Sequence, residues 1–400
     1  MAAVLFLGFA SGLPLALSSG TLQAWMTVAG VDIKTIGLFS LVGLPYTVKF
    51  LWAPLMDRYA PGFLGRRRGW IALSQLALIG LIACMGALDP TRSPLTLAAL
   101  ALVLAFTSAS QDIVFDAYRT DVLKDKERGL GAAVSVLGYR LAMLTSGALA
   151  LILSDHIGWR NTYWMMAGIM VIGLLAALLG PEPENHARPP RTLTEAVVGP
   201  LKEFFGRPEA WVMLLLIVLY KLGDAFAGSL TTAFLIRGVG FTPTDVGAIN
   251  KGLGLVATIV GALFGGGLMV RLGLFRSLLL FGALQAVSNL AFMVLAWAGK
   301  SYALMVIAVA FENIAGGMGT AAFVALLMAL CDHRFSATQY ALLSALAAVG
   351  RVFVGPPSGF LVDAVGWVWF FFFTILVALP GLALLWRLRP RITALEHARA

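Results

Sequence analysis

The 400-residue sequence predicts an all-α integral membrane fold: twelve transmembrane helices in two six-helix halves related by pseudo-repeat. Three observations carry that expectation. Hydrophobic residues form 60% of the chain and charged residues only 12%, with a mean hydropathy of +0.88, far from soluble composition. Twelve apolar stretches are each about 20 residues or more, long enough to cross a bilayer. One long polar, proline-rich linker separates the first six from the last six.

Spans 1 to 6 are placed at 2–28, 34–56, 70–88, 96–121, 129–153 and 160–180, and spans 7 to 12 at 210–236, 244–270, 274–298, 302–330, 336–362 and 366–388. The domains that follow are an N-terminal half over 1–180, a cytoplasmic linker over 181–209, a C-terminal half over 210–390 and a cytoplasmic tail over 391–400. Span 1 opens without a basic leader and runs well past a signal-peptide core, so it reads as a retained first helix. Span 2 ends at Asp57 and the basic run Arg66, Arg67, Arg68. Span 4 holds the acids Asp112 and Asp116, and span 11 breaks after Arg351 at Gly355, Pro356 and Pro357.

Orientation follows from the basic residues. Of the 29 Lys and Arg, 18 fall on the side holding the even-to-odd loops and the C-terminus, against five in the opposite loops. The positive-inside rule then places both termini on the cytoplasmic side. The net charge of +9 is thereby a topology signal, and no nucleic-acid partner is expected. Cys84 in span 3 and Cys331 at the end of span 10 frame no disulfide or metal site,. His156, His186, His333 and His397 fall in loops or the tail, which argues against a membrane-embedded metalloenzyme. No cofactor is expected.

Three matched segments relate the halves. Residues 29–37 (AGVDIKTIG) match 239–247 (VGFTPTDVG), residues 55–58 (LMDR) match 268–271 (LMVR), and 155–159 (DHIGW) match 363–367 (DAVGW). All three occur in order at a shift of roughly 210 residues, as in a parallel repeat of six-helix halves. Such halves rock about a central site near the bilayer midplane, the architecture of the major facilitators.

Ionisable residues inside spans are costly and mark water-lined paths or coupled sites. Asp112 and Asp116 share one helical face, and Arg119, three residues on from Asp116, is placed to pair with it,. Asp112 is then the less neutralised acid, about 13 Å from the cytoplasmic end of span 4 at 1.5 Å per residue. Burial and a like-charged neighbour both favour a neutral carboxyl, as a proton carrier requires. Asp112 and Asp116 are therefore the proton-coupling candidates, against a structural ion network with, for example, Arg140.

Substrate contacts are expected from Gln23, Trp25, Gln111, Tyr139, Arg140, Lys221, Asp224, Lys251, Glu312 and Asn313. The amides and aromatics suit sugar hydroxyls and faces, and the cations suit carboxylates. Each has a bland alternative: neutral polar residues in spans are commonly helix–helix glue, Lys221 and Asp224 at i, i+3 can neutralise each other, and Glu312 can pair with a basic residue. Arg351 is expected to hold span 11 against the opposite half. Asp57 with Arg66, Arg67 and Arg68 resembles the loop signature of major facilitators and is expected to latch one access state. Extra residues separate Asp57 from Arg66 here, a departure from that signature.

At residues 8–17 (GFASGLPLAL), 19–26 (SGTLQAWM), 108–121 (SASQDIVFDAYRTD), 219–226 (LYKLGDAF), 234–241 (FLIRGVGF) and 317–328 (GMGTAAFVALLM) the chain closely resembles the AmpG-type muropeptide permeases. The resemblance covers nearly the whole chain. It implies proton-driven import of N-acetylglucosaminyl-1,6-anhydro-N-acetylmuramyl peptides from periplasm to cytoplasm across the bacterial inner membrane, in peptidoglycan recycling and β-lactamase induction. It also points to Gln111 and Asp112 as sensitive positions. The expected partners are protons, this small-molecule substrate and the lipid bilayer, with the chain a monomer. A facilitator of another large anion, of acetyl-CoA type, is the first alternative. A membrane enzyme on lipid-linked sugars lacks the acidic metal pair or histidine cluster it needs in the loops, and a non-transporting sensor leaves the in-membrane acids without a role.

Overall fold

Every regular element is helical among the residues that the computed structural model describes: 1–53, 56, 61, 64–123, 128–182, 205–206, 210–330 and 336–397. Ten helical stretches are long and apolar enough to cross a membrane. The shorter apolar stretch Ile33–Val48 occupies the place of span 2. The 45-residue stretch Leu343–Arg387 turns a corner at Gly366, whose φ of 77° and ψ of 173° lie outside the helical region, so it accounts for spans 11 and 12.

The spans are less regular than hydropathy alone predicts. Span 1 divides into Ala2–Ser18 and Gly20–Val28 at Ser19. Hydroxyls of Ser18 and Ser19 donate to the carbonyls of Pro14 and Leu15, at 3.0 and 2.5 Å, competing there with backbone amides for the helical acceptors. Span 2, expected as one helix over 34–56, is instead a series: Ile33–Leu38, a 3-10 segment Phe39–Gly43, Leu44–Val48, and a second 3-10 segment Lys49–Leu51. Pro45 and Gly43 explain the interruption, since proline donates no amide hydrogen and glycine adds backbone freedom. π-helical turns interrupt spans 5, 7 and 8 at Leu144–Leu149, Phe234–Val239 and Val246–Leu253. The tail also differs from a free extension: Arg389–His397 is helical and Ile392 is fully buried.

Two compact units emerge, one of residues 1–31, 41–191 and 242–248, the other of residues 32–40, 192–241 and 249–400. Inside the first, span 1 packs on span 5, span 3 on spans 4 and 6. Inside the second, span 7 packs on span 11, span 9 on spans 10 and 12, and span 8 on span 10. The same neighbour pairs thus recur six spans apart. Their local chemistry recurs too. Asp32 caps the start of span 2 by accepting from the amides of Lys34 and Thr35, at 3.0 and 3.3 Å. Thr242 starts span 8 with a reciprocal capping box to Asp245, at 3.1 and 3.0 Å, satisfying amides that a helix start leaves without partners. The corner before span 6 uses Gly158 at φ 79°, the counterpart of Gly366, because a side chain resists that backbone conformation.

In the second unit the segment 32–40 is held by Lys34 Nζ to Asp363 Oδ2 at 2.8 Å. In the first unit the segment 242–248 is held by Thr244 Oγ1 donating to Asp155 Oδ2 at 2.6 Å. These two contacts occupy matched places in the repeat.

Close approach of spans 1 and 5 depends on Gly12, where an added Cβ meets the Tyr139 carbonyl oxygen at 2.8 Å. Backbone cannot retreat as a side-chain tip can. Gly12→Val is expected to destabilise the protein by about 1–3 kcal/mol through overpacking, read as a lower midpoint of thermal unfolding in detergent. An unchanged midpoint would contradict this account of the span 1–span 5 contact.

Candidate functional site

The charged residues of the second half converge because of helical spacing. Lys221, Asp224, Ala225 and Gly228 lie on one face of span 7 (Ala210–Ser229). Glu312, Thr320 and Phe323 share a face of span 10 (Tyr302–Leu330), and Ser344, Ala347 and Arg351 share one of span 11 (Ser336–Phe353), as i, i+3, i+4 periodicity requires. Together they line a cavity of about 490 Å³, within the size range of small-molecule sites.

Its electrostatics are mixed. Lys221 Nζ pairs with Asp224 Oδ2 at 3.4 Å, donates to Thr320 Oγ1 at 3.2 Å, and lies 5.6 Å from the Phe323 ring centroid. Phe323 itself stacks on Tyr220 at 5.5 Å. Glu312 Oε2 accepts from Asn313 Nδ2 at 2.6 Å. Asn313 also accepts from Thr258 Oγ1 at 3.0 Å, joining span 10 to span 8. Lys251 donates to Thr232 Oγ1 at 3.1 Å. Thus Lys221, Asp224 and Glu312 are brought to one cavity, whereas Asn313 and Lys251 are outside its lining.

In the first unit Asp112 Oδ1 accepts from Ser11 Oγ of span 1 at 2.5 Å. Asp116 pairs with Arg119 at 3.1 Å, as its spacing predicts, and Arg119 also donates to Ser135 Oγ at 3.2 Å. Asp112 has no ion-pair partner within 4 Å among the described residues. Gln111 is fully buried, with Oε1 unpartnered. Trp25 is also buried, stacked on Trp159 at 5.9 Å and tilted against Tyr163 at 5.0 Å. Tyr139 lies against Gly12, Gln23 is half-buried, and Arg140 is exposed. Of the first-half candidates, Trp25 and Gln111 are thus buried, Gln23 and Tyr139 half-buried and Arg140 exposed.

Asp57 and the side chain of Arg66 lie outside the described residues. Arg67 Nε pairs with Asp121 Oδ2 at 3.0 Å, a residue sequence reasoning missed. The amides of Arg67 and Arg68 both donate to the Glu182 carboxylate at 3.1 Å. A carboxylate at a helix start meets unpartnered amides and the positive end of the macrodipole. Arg68 reaches the carbonyls of Ala177, at 2.8 Å, and Leu178. The basic cluster thus ties spans 3, 4 and 6 together.

Thr320, Ser344 and Arg351 were also missed as cavity groups. Thr320 was findable, since it falls eight residues after Glu312 on the same helical face. Asp224 lines a second, small cavity of about 10 Å³ with Gln285 and Asn289, where Gln285 Nε2 is buried without a partner. No cluster of His, Cys, Asp and Glu that could hold a metal occurs among the described residues.

Comparison with known proteins places these observations. The sequence profile described as Major Facilitator Superfamily matches residues 4–311 and 223–399. An anhydromuropeptide permease of Escherichia coli strain K12 is 62% identical over 385 residues, 96% of this chain and 78% of that protein. A putative transporter, AmpG 4, of Rickettsia conorii is 34% identical over 97% of this chain and 96% of its own length. Among solved structures, a bacterial homologue of the human lysosomal transporter Spinster aligns with a TM-score of 0.73 at 16% identity, over 99% of this chain and 96% of that one. A POT family transporter in complex with 5-aminolevulinic acid aligns at 0.75 and 14%, over 98% and 96%. At such identities the structural likeness bears on the fold alone.

Proposed function

The chain belongs to the AmpG-type permease family of the major facilitator superfamily, and on that premise we propose that it imports anhydro-muropeptides by proton-coupled alternating access. It is a multi-pass membrane transporter. The observation that carries the substrate is the 62% identity to the Escherichia coli anhydromuropeptide permease across 96% of the chain. The cavity suits that chemistry. A disaccharide-peptide presents hydroxyls, acetamido groups and carboxylates, and the lining offers Thr320, Ser229 and Ser344 with Lys221 and Arg351.

The proposed route runs from periplasm to cytoplasm across the inner membrane, with both termini cytoplasmic and the monomer as the working unit. Asp112 takes a proton on the outer side, its neutralised form permits the change of access, and the proton leaves inside. Asp116, paired with Arg119, maintains the local structure. Gln23, Trp25, Gln111, Tyr139 and Arg140 remain proposed contacts in the first half; Asp57 with the arginine cluster is proposed to slow or speed state exchange. Asp57→Asn is expected to lower the exchange rate about tenfold while changing solute affinity by less than about twofold, as for an interaction absent from the bound solute. Equal changes in both would remove the latch role.

Uptake of labelled anhydro-muropeptide into proteoliposomes, with and without an inward proton gradient, tests the whole reading. Gradient-dependent accumulation supports substrate and coupling together. Failure of verified, inserted protein to take up the label would turn attention to other large anions, which the two cavity cations also suit.

A further inference from the structure

Of the two cavity cations, Lys221 is paired with Asp224, whereas Arg351 has no ion-pair partner among the described residues. It sits 15 residues after Ser336 in the helix Ser336–Phe353, about 22 Å along at 1.5 Å per residue. That depth falls inside a hydrocarbon layer of about 30 Å. A guanidinium at such a depth is costly unless water or a partner meets it. Its side chain is exposed to the 490 Å³ cavity. No carboxylate lies within ion-pair distance of it among the described residues.

The other charges of the cavity are engaged. Lys221 is held by Asp224 and Thr320, and Glu312 by Asn313. On its own helix the lining residues one and two turns before Arg351 are small, Ser344, Ala347 and Ala348, leaving space beside a fork of donors. A planar guanidinium matches a carboxylate with two parallel N–H bonds, geometry that an ammonium does not reproduce.

We propose that Arg351 is the docking group for a carboxylate of the transported solute, and that it sets the preference for solutes carrying one. This deepens the muropeptide reading and rests on it: the carboxylate is one belonging to the stem peptide. A structural role would follow from its place in the helix. Arg351 stands in the last helical turn before the break at Val354, where any cation complements the macrodipole. Lysine fulfils that role as well as arginine, but it does not fulfil the bidentate one.

The test compares uptake of two anhydro-muropeptides, one with free stem-peptide carboxylates and one with them amidated, in proteoliposomes under one proton gradient. In the wild type, amidation is expected to raise KM about tenfold or more, the usual weight of a charged hydrogen bond. In Arg351→Gln the free acid is expected to show that higher KM already, with amidation adding less than about twofold and kcat moving little. In Arg351→Lys the amidation penalty is expected to fall at least about threefold, since charge persists without the fork. That variant carries the comparison if Arg351→Gln fails to insert. An amidation penalty equal in wild type and variants, or none in the wild type, overturns the inference while leaving the muropeptide reading intact. Uptake of neither form by the wild type overturns both.

Discussion

Asp112→Asn is expected to reduce gradient-driven accumulation to background while leaving the folded protein intact. The physical basis is the contrast between two acids one turn apart. Asp116 is neutralised by Arg119 at 3.1 Å, whereas among the described residues Asp112 meets a hydroxyl donor, Ser11 Oγ, at 2.5 Å and no cation within 4 Å. An asparagine retains an acceptor oxygen for Ser11, so the loss in stability should stay below about 1.5 kcal/mol, the net worth of one ordinary hydrogen bond. It cannot take up and release a proton. Exchange of solute across the membrane without a gradient should therefore persist when net accumulation is gone. Measuring both in the same proteoliposomes separates coupling from binding. Normal accumulation by Asp112→Asn would end the proton-carrier role. Loss of exchange together with accumulation would make Asp112 a binding or folding group instead.

Lys221→Met is expected to lower both stability and uptake, because it leaves Asp224 facing the cavity without its cation at 3.4 Å. Removing one member of a buried pair commonly costs about 3–5 kcal/mol. Here the side chains are 16% and 32% exposed, and water screening reduces the expected cost to about 1–3 kcal/mol. The double variant Lys221→Met with Asp224→Leu should recover most of that stability, since apolar replacement of both partners removes the unmatched charge. Uptake should not recover. Thermal unfolding and transport measured side by side distinguish the two roles: recovery of transport in the double variant would reduce the pair to packing.

Some of this site was legible in residue order and some was not. Lys221 with Asp224, and Asp116 with Arg119, are i, i+3 pairs on single helices, so one element's geometry suffices to place them together. Asp121 with Arg67, and Ser11 with Asp112, join different spans, and no periodicity within one helix encodes such a meeting. The same limit explains Trp25. An aromatic in a span is compatible with a sugar platform or with packing, and the meeting of Trp25 with Trp159 and Tyr163 joins different elements that no single-helix pattern encodes. Span 2 illustrates another limit. Its apolar length signals a crossing, but Gly43 and Pro45 act on local backbone hydrogen bonding and divide it into α and 3-10 segments.

By itself the sequence determined the membrane class, the six-plus-six grouping of spans and the matched starts and corners at Asp32, Thr242, Gly158 and Gly366. Each depends on composition or on chemistry within a few residues: hydrocarbon thickness, amide capping and a positive φ. Only the tertiary structure decided that Arg351, Thr320 and Glu312 share one cavity with Lys221 and Asp224, and that Asn313 and Lys251 stand outside its lining. The physical reason is rotational. Which face a helix turns towards its neighbours is set by close packing at glycine-lined contacts such as Gly12 against Tyr139, and a modest rotation of a spanning helix changes which charges meet.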